Sequence, residues 1–228
     1  MNHLLASRSW DEVPEHSLVL IPLGSTEQHG PHLPFSTDTA IAEQVAVAVA
    51  DKLIGDGSGP VVVTPPFPYG ASGEHQTFQG TVSIGQEALK VVLVEMIRSV
   101  STWAQRMVLI NGHGGNVFTV QHVVDQMRIE QHDVIWTSCA LETSNDAHAG
   151  HDETSVMLHL SPESVKVESL AAGNAQPLQE ILPDLMALGV RPVSPSGVLG
   201  DPTTADATFG EEQFALMVAR IVREIQHG

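Results

Sequence analysis

A chain of 228 residues is long enough for one medium-sized domain with a sizeable hydrophobic core. The 10 Lys and Arg residues against 27 Asp and Glu residues give a formal net charge of −17, which argues against nucleic acids and anionic membranes as partners. Cys139 is the single cysteine and no apolar run approaches the roughly 20 residues of a membrane span, so we expect a cytoplasmic protein without disulfides, secretion signal or membrane segment.

Strand-like and helix-like patterns alternate along the chain without a low-complexity linker or an internal repeat. The predicted strands are residues 17–23, 60–64, 107–110 and 133–139, and the predicted helices are residues 38–53, 85–104, 117–131 and 211–226. This order predicts a single α/β domain over residues 1–228, with a mainly parallel β-sheet and helices on both faces. Residues 189–210 are rich in Gly, Pro and Thr, which predicts a long irregular loop of the kind that covers a site.

Glu27 and His29 follow the first predicted strand, and Asp38 comes shortly afterwards. In an open parallel sheet, ligands bind where loops leave the carboxyl ends of the strands. If this loop is extended, Glu27 and His29 point to the same side and could bind one cation or two adjacent ones. Asp38 has an alternative role as the N-terminal cap of the next helix. His32 lies beside prolines and is expected to support the loop without binding metal.

The segment Asn111-Gly112-His113-Gly114-Gly115-Asn116 leaves the end of another predicted strand. Its glycines allow a tight turn that brings His113 close to a bound group. A glycine-rich turn can also bind an anion through backbone N–H groups, so a phosphate site is the alternative. The spacing matches neither a P-loop nor a dinucleotide fingerprint, which favours the metal site.

A third cluster, residues 148–155, contains His148, His151, Asp152 and Glu153. Its acids could simply stabilise the start of a helix through the helix dipole. However, three separate loops now carry histidines and carboxylates, which is more than helix capping requires. Together they predict a metal-dependent active site.

These motifs resemble the creatininase family of metal-dependent amidohydrolases. The resemblance starts with residues 22–34 and 37–39 and extends over nearly the whole chain, through residues 69–81, 111–116, 148–155 and 197–202. Within the family, residues 70–76, 148–151 and 200–205 are most similar to the branch that trims a modified, ribosomally made precursor peptide.

The resemblance implies two divalent metal ions bridged by Asp38, with zinc expected and iron or manganese as alternatives. Glu27 and His113 would complete the ligands of one ion, and His29 and Glu153 those of the other. Creatininase itself has a glutamate two residues after the histidine of the glycine-rich loop, where this chain has Gly115. Because this chain lacks that glutamate, Glu153 becomes more important as a metal ligand.

His148 aligns with the catalytic histidine of the family, which implies proton transfer to the departing amine. A buried structural imidazole is the competing interpretation. His75, Gly114 and Gly115 are weaker candidates for substrate binding, and the role of His151 stays open. Creatininase has tryptophans in a flap before its catalytic histidine, but residues 140–147 contain none, which argues against creatinine as substrate.

The implied activity is hydrolysis of an amide bond, most concretely the release of a modified C-terminal Val-Tyr dipeptide from a precursor peptide. Hydrolysis of another small or cyclic amide is the alternative within enzymes. A non-catalytic, flavodoxin-like module that binds phosphate through residues 111–116 is a more distant one. The resemblance also implies a closed homo-oligomer, with a hexamer favoured.

Overall fold

A computed structural model describes residues 3–141 and 146–227, which form a parallel β-sheet flanked by helices. In this part of the chain the strands are β1 (Ser17–Leu23), β2 (Val61–Val63), β3 (Ala104–Asn111) and β4 (Val134–Ser138). The helices are α1 (Thr37–Gly55), α2 (Gly85–Val100), α3 (Val117–Ile129), α4 (His151–Leu160), α5 (Leu178–Leu188), α6 (Val190–Val193) and α7 (Ala207–His227). All described strand pairs are parallel, and the strand order is β2-β1-β3-β4.

Hydrophobic cores lie on both faces of the sheet, because successive side chains of a strand point in opposite directions. On β1, Leu20 belongs to the core that includes α1 and α7. Its neighbours Val19 and Ile21 belong to the core that includes α2 and α3. The predicted α/β class, with a parallel sheet covered by helices on both faces, is therefore confirmed.

The strand order places a topological switch point between β1 and β3. The chain leaves β1 toward β2 on one side and later enters β3 on the other side, so the loops after β1 and β3 diverge at this point. Leu23 at the end of β1 is paired with Asn111 at the end of β3. The loops that carry Glu27 and His113 therefore start side by side at one edge of the sheet.

The structure differs from the sequence prediction in the C-terminal third and at one helix end. Helix α2 ends at Val100, because the chain turns over residues 101–103 and Ala104 already pairs with Ser17 in the sheet. Helix α5 was not predicted, and α6 lies inside the segment 189–210 that was expected to be irregular. Both pack through a small apolar cluster of Ile181, Val190 and Leu199, a tertiary contact that local composition does not reveal. Within the described residues, no helix combines the length and apolar character needed to cross a bilayer.

Candidate metal centre

Helix α1 begins against the carboxyl edge of the sheet because two glycines make room for its first turn. A Cβ at Gly24, after β1, would meet Thr39, and a Cβ at Gly112, after β3, would meet the carbonyl oxygen of Asp38. The close approach inserts Asp38 between the two loops. The N-cap position of α1 is Ser36, and the Asp38 carboxylate faces the site, where it accepts a 2.7 Å hydrogen bond from Ser25 Oγ.

The two oxygens of Asp38 face two different histidines. Oδ1 lies 3.0 Å from His29 Nε2, and Oδ2 lies 3.2 Å from His113 Nδ1. All three side chains are buried. One carboxylate thus connects the loop after β1 with the loop after β3.

Three groups of side chains in the described residues could hold a metal ion, each with its potential ligand atoms within 4.8 Å of one another. They are Glu27–Asp38–His113, His29–Asp38–Glu153 and Glu27–His29–His148. The first two groups share Asp38, and we call these two groups the Asp38 clusters. The structure therefore brings together all five residues that the sequence singled out as metal ligands.

The environment of Glu27 fits a cation. Its side chain is fully buried, and Oε2 lies 3.2 Å from His113 Nε2, yet neither carboxylate oxygen makes a hydrogen bond of acceptable geometry with any described residue. Burial of a carboxylate without donors costs free energy, which a bound divalent ion offsets. The mixed imidazole and carboxylate donors suit zinc, iron or manganese without selecting one of them.

Burial and neighbouring charges together shift the pKa values of the groups in the cluster. Burial opposes the charge of Glu27, but the contacts with His113 and His75 together lower the pKa of Glu27 to about 2. Burial also opposes protonation of His29, but Asp38 raises its pKa to about 10. Glu153 has a pKa raised to about 7, chiefly by burial. His29 must therefore lose a proton before it can bind a divalent ion.

His148 and His75 form the next layer of the site. Their ring centroids are 4.4 Å apart, and His148 Nε2 lies 2.8 Å from the carbonyl oxygen of Gln28. Burial, followed by the charge of His29, lowers the pKa of His148 well below its usual range. Burial lowers the pKa of His75 to about 4. Both imidazoles are therefore neutral at neutral pH.

The motifs gave no role to Gln28, although its side chain lies next to both neutral imidazoles. Its Nε2 lies 2.8 Å from His75 Nδ1 and 3.2 Å from His148 Nε2, and it donates to the carbonyl oxygen of Gly197. Its position between Glu27 and His29 is the signal in the sequence that could have identified it.

The glycine-rich loop leaves no room for a side chain at Gly115. A Cβ there would meet the carbonyl oxygen of Ala71, His113 Nε2 and Glu74 Oε1. The space next to His113 is thus partly taken by Glu74, whose Oε1 lies 3.7 Å from His113 Nε2. Glu74 also had no predicted role, although it directly precedes His75. Burial raises the pKa of its carboxyl group.

Four of the five residues of the Asp38 clusters line a cleft with a volume of ≈ 760 Å³: Glu27, Asp38, His113 and Glu153. The weaker substrate-binding candidates His75, Gly114 and Gly115 line it, as does His148. Two other histidines considered in the sequence, His32 and His151, are not among the described residues that line the cleft. His32 Nε2 lies 2.9 Å from Thr154 Oγ1, and His151 Nδ1 lies 3.1 Å from Thr204 Oγ1. Of the segment 140–147 compared with the creatininase flap, residues 142–145 lie outside the described part of the chain.

Comparison with known proteins defines the class. The model of the creatininase family, described as creatinine amidohydrolase, matches residues 6–225, so the chain belongs to this family of hydrolases, which act on C–N bonds. The chain is 55% identical over 210 residues to the mycofactocin precursor peptide peptidase of Mycobacterium ulcerans (strain Agy99), covering 91% of this chain and 84% of that protein. The resemblance predicted from the motifs is therefore confirmed.

Solved structures agree with the fold. A putative creatinine amidohydrolase from Bacteroides fragilis NCTC 9343 superposes with a TM-score of 0.82 at 24% identity, covering 97% of this chain and 95% of the other. A creatinine amidohydrolase (creatininase) superposes with a TM-score of 0.77 at 25% identity, covering 98% and 96%. The predicted creatininase-like architecture is confirmed.

Proposed function

We propose that this chain is a metal-dependent peptidase that cleaves the mycofactocin precursor peptide and releases its modified C-terminal Val-Tyr dipeptide. The observation that carries the proposal is the pair of Asp38 clusters, four of whose five residues line a cleft. The substrate is supported by the 55% identical relative that is named for this activity.

We assign one divalent ion to Glu27, Asp38 and His113, and a second to His29, Asp38 and Glu153. Zinc is the expected metal. Iron and manganese are alternatives, because they also accept imidazole and carboxylate ligands. Divalent ions bound here would polarise the scissile carbonyl and lower the pKa of water.

His148 is the proposed proton carrier for the departing amine. The contact between its Nε2 and the carbonyl oxygen of Gln28 favours the tautomer that carries its hydrogen on Nε2. This leaves Nδ1, 3.8 Å from Glu27 Oε1, free to accept a proton and transfer it to the leaving nitrogen. His75, Gly114 and Gly115 face the substrate from the walls of the same cleft.

A phosphate-binding module is disfavoured by the charge around the glycine-rich loop. Glu27, Asp38 and Glu74 line the same cleft as Gly114. A phosphate bound to the backbone there would be repelled by these carboxylates. Hydrolysis of a different small amide is an outcome of the experiment described below.

We further propose a cytoplasmic homo-oligomer, with a hexamer favoured. Leu89, Leu93 and Ile97 of α2 are buried in the chain's own core and are not available for contacts between subunits. Exposed apolar side chains on α2 and α3 offer such a surface instead, among them Phe118 and Ile129, which are 73% and 83% exposed. Light scattering at micromolar concentration tests the assembly, and a monomer alone would contradict it.

The direct test combines metal content with product identity. The gel-filtered protein is analysed for metals and then incubated with the modified precursor peptide, and the products are identified by mass spectrometry. We expect about two ions per chain and the mass of the C-terminal dipeptide, with Asp38→Asn as the inactive control. A protein that holds two ions and hydrolyses another amide, but leaves the peptide intact, would contradict the substrate and retain the enzyme class.

A further inference from the structure

Helix α5 presents an apolar face to the cleft that Glu27 and His113 also line. Leu178, Leu182, Leu185 and Met186 follow one another at helical spacing and line the same cleft as Glu27 and His113. We call these four residues the α5 face. Three of them are well exposed: Leu178 is 47%, Leu182 44% and Met186 80% accessible.

Three contacts hold α5 at the rim of the cleft. Its buried residue Ile181 packs against Val190 and Leu199. Gly189 ends the helix with a φ of 78°, where its backbone approaches the carbonyl oxygen of Glu74. Arg191 then donates a 2.8 Å hydrogen bond to the carbonyl oxygen of Thr77. The helix is thus fastened to the loop that carries Glu74 and His75, so the α5 face has a defined position relative to the Asp38 clusters.

The lining of the cleft combines two kinds of chemistry. It includes carboxylates and imidazoles of the candidate metal site and the aliphatic side chains of α5. Of the described residues that line the cleft, none is a lysine or an arginine that could pair with an anionic group. A ligand in the cleft therefore gains the most binding free energy if it places an amide next to the candidate metal site and an apolar side chain against α5.

We propose that the α5 face is the specificity subsite that binds the apolar side chain next to the scissile amide of a peptide substrate. The proposal rests on the proposed peptidase function, which it extends by naming the residues that select the substrate. Because Leu178, Leu182 and Met186 are exposed, contact with substrate removes their apolar surface from water without disturbing the core.

The test compares the double variant Leu182→Ser/Met186→Ser with the control Leu216→Ser. Leu216 lies on α7, is 62% exposed and does not line the cleft. Two precursor peptides are used that differ only in valine or threonine after the scissile amide, two residues of similar shape. Metal content, unfolding temperature and oligomeric state are recorded for every variant.

Wild type and the control should cleave the valine peptide with a higher kcat/KM than the threonine peptide. In the double variant the ratio of these two kcat/KM values should fall about tenfold, because KM changes while kcat is retained. An unchanged preference in a folded, metal-loaded double variant would overturn the proposal. A changed oligomeric state with an unchanged preference would assign the α5 face to a subunit contact and overturn it equally.

Binding separates this inference from the proposed function. The same two peptides are titrated into full-length, metal-loaded His148→Ala with and without the two α5 substitutions. If wild type cleaves neither peptide but the α5 substitutions abolish the preference in binding, the peptidase function is wrong and the apolar subsite stands. If binding shows no preference in either background, the subsite is refuted whatever the cleavage result.

Discussion

Replacement of Asp38 by asparagine should remove both metal ions at once. Asp38 belongs to both Asp38 clusters, whereas Glu153 belongs to one of them. An asparagine keeps the shape of the side chain and can still accept the hydrogen bond from Ser25, so the fold should survive. Its neutral amide is a poor substitute for a carboxylate ligand. We expect close to zero ions per chain in Asp38→Asn and about one in Glu153→Gln.

The expected size of the effect on stability follows from the number of clusters. An ion present at a hundredfold excess over its Kd stabilises the folded state by about 2.7 kcal/mol, so two ions contribute about 5 kcal/mol. For a chain of this length, each kcal/mol raises the unfolding temperature by roughly 2–4 °C. Added metal should therefore raise Tm by roughly 10–20 °C in wild type, by about half of that in Glu153→Gln, and negligibly in Asp38→Asn.

Thermal unfolding with chelator and with added metal, together with elemental analysis, measures these differences. Asp152→Asn is the matched control, because Asp152 is a buried acid adjacent to Glu153 but outside the three possible metal groups. It should take up metal like wild type. A folded Asp38→Asn protein that keeps two ions and the full increase in Tm would refute the shared role of Asp38.

Three further results are expected. His148→Ala should retain two ions but lose about 10²–10⁴-fold in turnover, and loss of metal would instead make His148 a ligand, as its grouping with Glu27 and His29 allows. Because the pKa of His29 is about 10 without metal and that of His113 is also raised, metal binding at pH 8 should release about two protons, measured by calorimetry in buffers of different ionisation enthalpy. Metal affinity should rise with pH over this range, and binding without proton release would contradict the charge state. Burial and the charge of His29 lower the pKa of His32 to about 4 in the folded protein, whereas its value in the unfolded chain is near 6.5. Between pH 6.5 and pH 4 the unfolded chain therefore binds more protons than the folded protein. The free energy of unfolding of the metal-free protein should decrease as pH falls through this window, by up to about 3 kcal/mol from His32, and His32→Gln should show a shallower decrease in denaturant titrations. If the free energy of unfolding depended on pH equally in wild type and His32→Gln, the assigned role of His32 would be contradicted.

The sequence by itself determined the family and the fold class, and it singled out the residues of the candidate site. Alternation between short apolar strands and amphipathic segments depends on local periodicity, which is why β1 was predicted at its observed bounds, Ser17–Leu23. Glu27 and His29 follow the end of β1 and His113 follows the end of β3, and parallel topology brings these two strand ends to the same edge of the sheet. For this reason Glu27, His29, Asp38 and His113 could be selected from the sequence before their distances were known.

The tertiary structure decided what depends on contacts between distant segments. The opposite directions of the two Asp38 oxygens follow from the approach of α1 to Gly24 and Gly112, which no local pattern encodes. The crowding at Gly115 by Glu74 is likewise a contact between two loops. Helix α5 was not predicted because it depends on the packing of Ile181 against Val190 and Leu199. The apolar side chains with which α5 lines the cleft were therefore not predicted either. Residue type and spacing specify which chemical groups are available, but only long-range packing fixes which of them face one another.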